Sequence, residues 1–548
     1  MSYKNGYRFK NRYLITGQLT VRTPLHIGSG DITQHDKLKV DDNEFIEIAA
    51  VAKAVKNKEG KNQLKPYIPA STLKGNLRAW LETRVKEKSL LEKLFGASHQ
   101  TKNAEGGKAE FWDAYLAEAE DWDAYLAEAE ELTETETETQ FPYWNPETQT
   151  GVQVGVTIDR RTRSARDKRL FYWEVVPPGV TFKVRITGQD LEDEEIALLL
   201  ANLEGFNDQR PVCLGSETAQ NQGKMRWHSF NVQRLEAAQA IAWLNNPDDQ
   251  GDMWSKGLQS LDRQTEATLI KMGQQLIYKE STRPTLRLQM RLQFDSPFLV
   301  NDPSKKEAKG EPDFQPRCDA TGRVLLPAKS MRGAIRSQAE RIIRTLGGHA
   351  CWIDDVKFAC KPVQEIKAVN DDNLCLACQL FGATGWQTPI RMSDFTFVHS
   401  QGENFEQDFV AIDRFTGGGC EGAKFKAKAS NAPLLEGTWE IDLQRVEPWG
   451  LGLLALVIRD LMEADITFGY GAAKGYGRAR LLLGFNDHSI NTLENCFTED
   501  VVDWQGLDPA MPQEWPNNMA LLQTFIQQEL VQAFRQKCQQ SQTQTGEC

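Results

Sequence analysis

The chain says the same thing twice. Along its 548 residues, five short features occur in two copies and in the same order. Each half opens with a strand and a turn: Leu14 to Val21 then Thr23-Pro-Leu-His26, and Leu286 to Phe294 then Ser296-Pro-Phe-Leu299. Tyr67-Ile-Pro-Ala-Ser-Thr-Leu-Lys-Gly75 is answered by Leu325-Leu-Pro-Ala-Lys-Ser-Met-Arg-Gly333, and Leu94-Phe-Gly-Ala97 by Leu380-Phe-Gly-Ala383. Ile158-Asp-Arg-Arg-Thr162 is answered by Ile412-Asp-Arg-Phe-Thr416. A basic glycine turn closes each half, Gly223-Lys-Met-Arg226 and Gly475-Tyr-Gly-Arg-Ala-Arg480. One short match is chance; five collinear ones mean internal duplication, so one fold must be built twice.

The fold follows from the periods. Leu286 to Phe294 alternates apolar and polar residues, the pattern of a half-buried strand. After the Pro-Ala motif, Leu77, Trp80, Leu81 and Val85 recur at helical spacing, as do Met331, Ile335, Ala339 and Ile342. Ser71 and Ser330 stand where a short side-chain oxygen would cap the helix. Strand, loop, helix and further strands predict an α+β class of the split β-α-β, ferredoxin-like kind. We expect a first domain over 10–228, a helical connector over 229–283, a second domain over 284–486, and a helical C-terminal extension over 487–548. The extension ends in a Gln/Thr/Ser-rich tail expected to be disordered. A tandem ten-residue repeat at 111–130 and the acidic run after it are expected to be solvated surface.

Composition narrows the function. The longest apolar run, Leu451 to Ile458, is too short to cross a bilayer, which needs about 20 residues. No apolar stretch follows the N-terminal basic residues, so a cytoplasmic protein without membrane partners is expected. A net charge of −12 argues against a chain that coats nucleic acid with its whole surface but leaves room for local basic grooves.

Three such places stand out. Lys74 and Arg78, and Arg332 and Arg336, set cations one turn apart beside Gly75 and Gly333 at a helix start, where amides and the helix dipole favour an anion. The segment 159–169 carries Arg160, Arg161 and Arg163. Its counterpart carries Arg414, Lys424 and Lys426 with aromatic residues between them, a pattern suited to single-stranded nucleic acid. The glycine turn with Lys474 and Arg478 lacks the strand–loop–helix setting of a nucleotide-phosphate loop, so it reads as a close approach to RNA phosphates.

Cys351, Cys360, Cys375 and Cys378 form a separate cluster, with one tight Cys-x2-Cys pair. Four thiols suit a tetrahedral structural zinc, with buried free thiols as the competing reading; four protein ligands leave no open position for a catalytic zinc. No nucleophile elbow or Ser-His-Asp order occurs.

Taken together, Thr23-Pro-Leu-His-Ile-Gly-Ser-Gly30, Ile68-Pro-Ala-Ser-Thr-Leu-Lys-Gly75, Leu94-Phe-Gly96, Gly107-Lys-Ala-Glu-Phe-Trp-Asp113 and the Gly475-Tyr-Gly-Arg478 turn resemble the RAMP superfamily of CRISPR-associated proteins. Within it they resemble the backbone subunits of type III effector complexes, here with two copies fused. The resemblance implies tandem modified RNA-recognition-motif domains with helical insertions. The basic segments would be thumb hairpins entering a guide–target duplex. It implies guide CRISPR RNA, target RNA and other CRISPR effector subunits as partners. It also implies an RNA endonuclease that cuts target RNA with magnesium and a loop aspartate ahead of the Pro-Ala helix. Carried over, that aspartate is Asp313 in the second copy, spaced from Asp319 as in the family, and Asp36 in the first, preferred over Asp41 and Asp42. RNA brings its own 2′-hydroxyl nucleophile, so a carboxylate and a distorted strand suffice. The competing expectations are a non-catalytic guide-RNA scaffold and a guide-RNA processing nuclease.

Overall fold

Strict alternation puts one strand at the centre of each half. The computed structural model describes residues 9–41, 44–54, 64–97, 106–117, 144–160, 162, 164–208, 210–245, 257–277, 285–302, 312–319, 321–352, 360, 374–483 and 529–544. Two compact units divide the chain. One comprises Met1–Gln153, Tyr172–Thr218 and Gln222–Thr282; the other comprises Val154–Phe171, Ala219–Asn221 and Arg283–Cys548. Both mix helices and antiparallel sheet, as an α+β chain should.

The elements of the first repeat are β1 (Asn11–Val21), β2 (Gly28–Asp41), β3 (Glu44–Val51), α1 (Ala70–Glu82), α2 (Lys88–Phe95), β4 (Gly151–Ile158), β5 (Ala165–Val175), β6 (Thr181–Gln189), α3 (Asp193–Glu204), β7 (Met225–Glu236) and α4 (Arg263–Leu276). β1 buries every second residue and lies antiparallel between β6 and β7, with Leu19 opposite Phe182 on one side and Trp227 on the other. Leu73, Leu77 and Leu81 turn the apolar stripe of α1 into the core.

The second repeat holds β8 (Thr285–Phe294), α5 (Ala328–Thr345), α6 (Leu376–Phe381), β9 (Phe395–Ser400), β10 (Phe405–Ile412), β11 (Gly419–Ala429), β12 (Pro433–Asp442), α7 (Pro448–Met462), β13 (Ala479–Leu483) and α8 (Val531–Gln544). β8 again alternates and lies between β12 and β13, with Leu292 opposite Leu435 and Leu481. Met331, Ile335, Ala339 and Ile343 form the buried stripe of α5. The inward residue of the last turn is Ile343 rather than Ile342, which is only partly buried.

Three expectations change. The segment 229–283 does not begin as a helical connector: β7 stays paired with β1 through Glu236, so Leu235 is a sheet residue. α4 then lies against α3 so tightly that a Cβ on Gly273 would stand 2.0 Å from the Ala197 carbonyl. At the C-terminal end the polar sequence is helical to Gln544, because Phe534 and Cys538 give α8 a buried face on the second core. Much of the 111–130 repeat and all of the acidic run lie outside the described residues.

The third change concerns helix starts. Neither Ser71 nor Ser330 caps its helix; the cap positions are Pro69 and Pro327, which make no side-chain cap bond. Instead Asp113 accepts from the Ala70 amide at 2.8 Å, and Asp394 from the Ala328 amide at 2.7 Å. Each carboxylate arrives from a distant part of its own repeat, so it satisfies an orphan donor and fastens the helix to the sheet. Replacing Asp394 with Ala should lower unfolding stability by about 1 kcal/mol. Ser330→Ala should change it little; urea unfolding of both variants distinguishes the two caps.

Candidate nucleic-acid interface and cysteine centre

The second hairpin is a solvated finger. β10 and β11 pair with Phe409 opposite Phe425 and Val410 opposite Lys424. Asp413 closes the tip by accepting from the Phe415 amide at 2.7 Å and the Thr416 amide at 2.9 Å. The amides of Thr416 and Phe415 hold its carboxyl below the usual carboxylate range. Phe415 is 100% exposed at the tip, and Arg414, Lys424 and Lys426 are exposed along the finger. Lys424 lies 3.5 Å from Asp408, but both are solvated and the pair is weak.

The first hairpin is built alike, with Asp159 accepting from the Thr162 amide at its tip. Its chemistry differs. Arg161 and Arg163 lie outside the described residues. Arg160 is no free RNA cation: its guanidinium pairs with Glu340, which is 0% exposed. Residues Val154–Phe171 belong to the second unit, where Lys329 also lies 5.3 Å above the Phe171 ring.

The helix-start cations divide in the same way. Gly75 and Gly333 sit inside helices on the exposed side, and a Cβ added to either would meet nothing within 4 Å. Internal packing therefore does not explain them, although a glycine there costs helix stability. Lys74 lies half-buried next to Gly75. Arg332 donates to the Phe381 carbonyl at 2.5 Å. Arg78 bridges to Glu82 and donates to the Gly96 carbonyl, both at 3.0 Å. Arg336 repeats this in its own half, to Glu340 at 3.0 Å and the Gly382 carbonyl at 2.8 Å. Arg336 is buried, so its role is to clamp the Leu-Phe-Gly turn rather than to touch RNA. The twin Leu-Phe-Gly motifs are thus the acceptors of twin arginines.

Arg336 also reaches the cysteines, donating to Cys378 Sγ at 3.1 Å. Cys351, Cys360, Cys375 and Cys378 bring all four sulfurs within 4.8 Å of one another and can hold a metal ion. A tetrahedral thiolate site with bonds of about 2.3 Å has sulfur–sulfur edges of roughly 3.8 Å. Cys351 Sγ and Cys378 Sγ are 3.5 Å apart, so the donor set fits. Amides of Cys375 and Cys378 point at Cys360 Sγ and Cys375 Sγ, and hydrogen bonds from Cys360, Cys375 and Cys378 pull Cys351 toward thiolate.

Asp313 stands at the root of the second hairpin, exposed, one carboxylate oxygen held at 2.8 Å by the Lys426 amide. Phe314 exchanges backbone bonds with Lys426 and Lys428, so the carboxylate is fixed to β11. Asp319 is occupied elsewhere, accepting from Thr321 and Arg323 in its own turn. The Phe314 ring stacks on Tyr470 with centroids 4.5 Å apart. Lys474, from the glycine turn, donates to the Tyr470 hydroxyl at 2.7 Å and lies 4.6, 4.7 and 5.1 Å over Tyr470, Phe425 and Phe409. Arg478 lies 3.7 Å from Asp295, half exposed.

Strand register identifies the first-repeat counterparts. Leu25 bridges Val176 where Phe298 bridges Ser430. The parallel pairings match as well: Ala49 faces Trp173 as Phe314 faces Ala427. The residue preceding Ala49 is Ile48, 1% exposed, so the place of Asp313 is taken by a buried hydrocarbon. Asp36, the first-repeat candidate, lies on strand β2 between β1 and α1; its side chain is outside the described residues. The aromatic setting of Lys474 and the pairing role of Glu340 escaped the sequence reading, because both join residues far apart in the chain.

A family model, that of the RAMP superfamily, matches residues 18–219 and 292–480, one region in each half. No curated protein matches the chain. No helix among the described residues is long and apolar enough to cross a membrane.

Removing Arg336 leaves Glu340 buried with less compensation. Arg336→Ala should destabilise the protein by about 3–5 kcal/mol. Arg78→Ala should cost clearly less, since Glu82 remains solvated; chemical unfolding of the two variants reads the difference.

Proposed function

The chain belongs to the RAMP superfamily, and from that premise we propose that it is a CRISPR-associated RNA-binding protein, a double backbone subunit of a type III effector. Each half is then a ferredoxin-like, modified RNA-recognition-motif domain. Guide CRISPR RNA, target RNA and other effector subunits are its partners. The observation that carries the reading is the second hairpin, with Arg414, Lys424, Lys426 and a fully exposed Phe415 on the finger and Asp313 at its root. Cations neutralise phosphates and an aromatic ring stacks on bases, so the finger suits an RNA strand.

Cleavage is assigned to the second repeat. Asp313 has one oxygen fixed by the Lys426 amide and the other facing solvent, where it can take a proton from an RNA 2′-hydroxyl. That free oxygen also fits as the single protein ligand of a hydrated magnesium, whose other partners are water and phosphate. When bound, magnesium would supply charge neutralisation at the phosphate. Ile48 supports the scaffold reading for the first repeat: a hydrocarbon neither accepts a proton nor holds a cation. The cysteine centre is read as structural zinc, with four sulfurs closing the coordination shell.

In the assembled effector, Asp313→Asn should abolish one set of target-RNA products while guide length and target binding persist. Asp36→Asn should leave the products unchanged. Products that survive Asp313→Asn would return the second repeat to a scaffold role. Gly75→Ala and Gly333→Ala should each stabilise the free protein by up to about 1 kcal/mol yet weaken guide-RNA binding, because a methyl group then fills the space left for a ribonucleotide backbone. Elemental analysis should return one zinc per chain, lost in Cys378→Ser.

A further inference from the structure

Lys474 is placed too specifically for a general phosphate contact. The glycine turns of the two repeats have the same backbone. Gly215 and Gly469 share φ near 80°, and Gly223 and Gly477 have φ of 73° and 75°. Between them the short turns Thr218–Gln220 and Ala472–Lys474 correspond, so the residue matching Lys474 is Gln220. The residue matching Tyr470, one after the shared glycine, is Ser216. At these matched positions the lysine and the tyrosine occur in the repeat that has Asp313, while Phe425 keeps a counterpart in Phe171. Three aromatic faces and the Tyr470 hydroxyl hold the ammonium, and Tyr470 stacks on Phe314, the neighbour of Asp313. Lys474 is thus linked through Tyr470 to the ring that follows Asp313 in the chain.

We propose that Lys474 is the proton donor to the leaving oxygen when the second repeat cuts RNA; this rests on the reading of Asp313 as the cleavage site. The 2′-oxygen forms a bond to phosphorus and its proton passes to the Asp313 carboxylate. The bond from phosphorus to the 5′-oxygen breaks, and that oxygen takes a proton from the Lys474 ammonium. The products are a 2′,3′-cyclic phosphate and a 5′-hydroxyl; exchange with water restores both side chains. An ammonium is a far stronger acid than the alcohol it makes, so the transfer favours departure.

The test uses the full chain assembled with guide RNA and its partner subunits, in single-turnover cleavage of two targets. One target is ordinary RNA; the other carries sulfur in place of the 5′-bridging oxygen at the cut, and that sulfur leaves as a thiolate without protonation. Lys474→Gln, which installs the first-repeat residue type, should slow ordinary cleavage by roughly 100-fold or more, with target affinity unchanged. It should cut the sulfur target near the wild-type rate. Wild-type cleavage of ordinary RNA by Lys474→Gln, or equal loss on both targets, overturns the proposal. Lys474→Arg guards against a folding defect: its cleavage should follow the same substrate pattern with unaltered RNA affinity. Asp313→Asn separates the two readings. If it cuts normally, the cleavage site itself is wrong; if it is inactive while Lys474→Gln is active, only the role of the lysine fails.

Discussion

One buried carboxylate holds the second repeat's polar interior together. Glu340 is fully buried on α5 and is bridged by Arg160, Arg336 and Arg344. An isolated carboxylate would be very costly there, so the arginines are obligatory partners rather than ornaments. Arg336 then reaches Gly382 and Cys378, and Arg344 reaches the Cys351 carbonyl and stacks 3.6 Å from Trp352. Three guanidiniums against one carboxylate leave a net charge of +2. A divalent ion held there by four thiolates would carry −2 and would balance that charge. The cysteine centre, the Leu-Phe-Gly turn and the tip of the first hairpin are all tied to that one residue.

Duplication did not preserve chemistry equally. The architectural devices survive in both halves: a central alternating strand, a remote aspartate on the helix start, an arginine on the Leu-Phe-Gly carbonyl, and an aspartate closing the hairpin tip. Each is a backbone requirement of the fold, and a second copy of the fold meets it again. The chemistry diverges instead. Asp313, Tyr470 and Lys474 are replaced by Ile48, Ser216 and Gln220 at the matching positions of the first repeat. The first hairpin uses Arg160 to reach a buried partner, whereas the second leaves its cations in solvent.

Much of this was written along the chain, because alternation, helical spacing and repeated order are local properties. The two-repeat plan, the central strands, the core face of α1 and α5, the hairpins and the four grouped cysteines follow from which residues stand near one another in sequence. What needed tertiary structure was the choice among candidates of the same type. Ser71 and Ser330 look like caps until Asp113 and Asp394 arrive from remote segments; Arg336 looks like Lys74 until Glu340 and Cys378 close around it. Charge and hydrogen-bonding capacity belong to the residue, but the partner that consumes them is brought by long-range packing, and only packing decides which cations and carboxylates remain for a ligand.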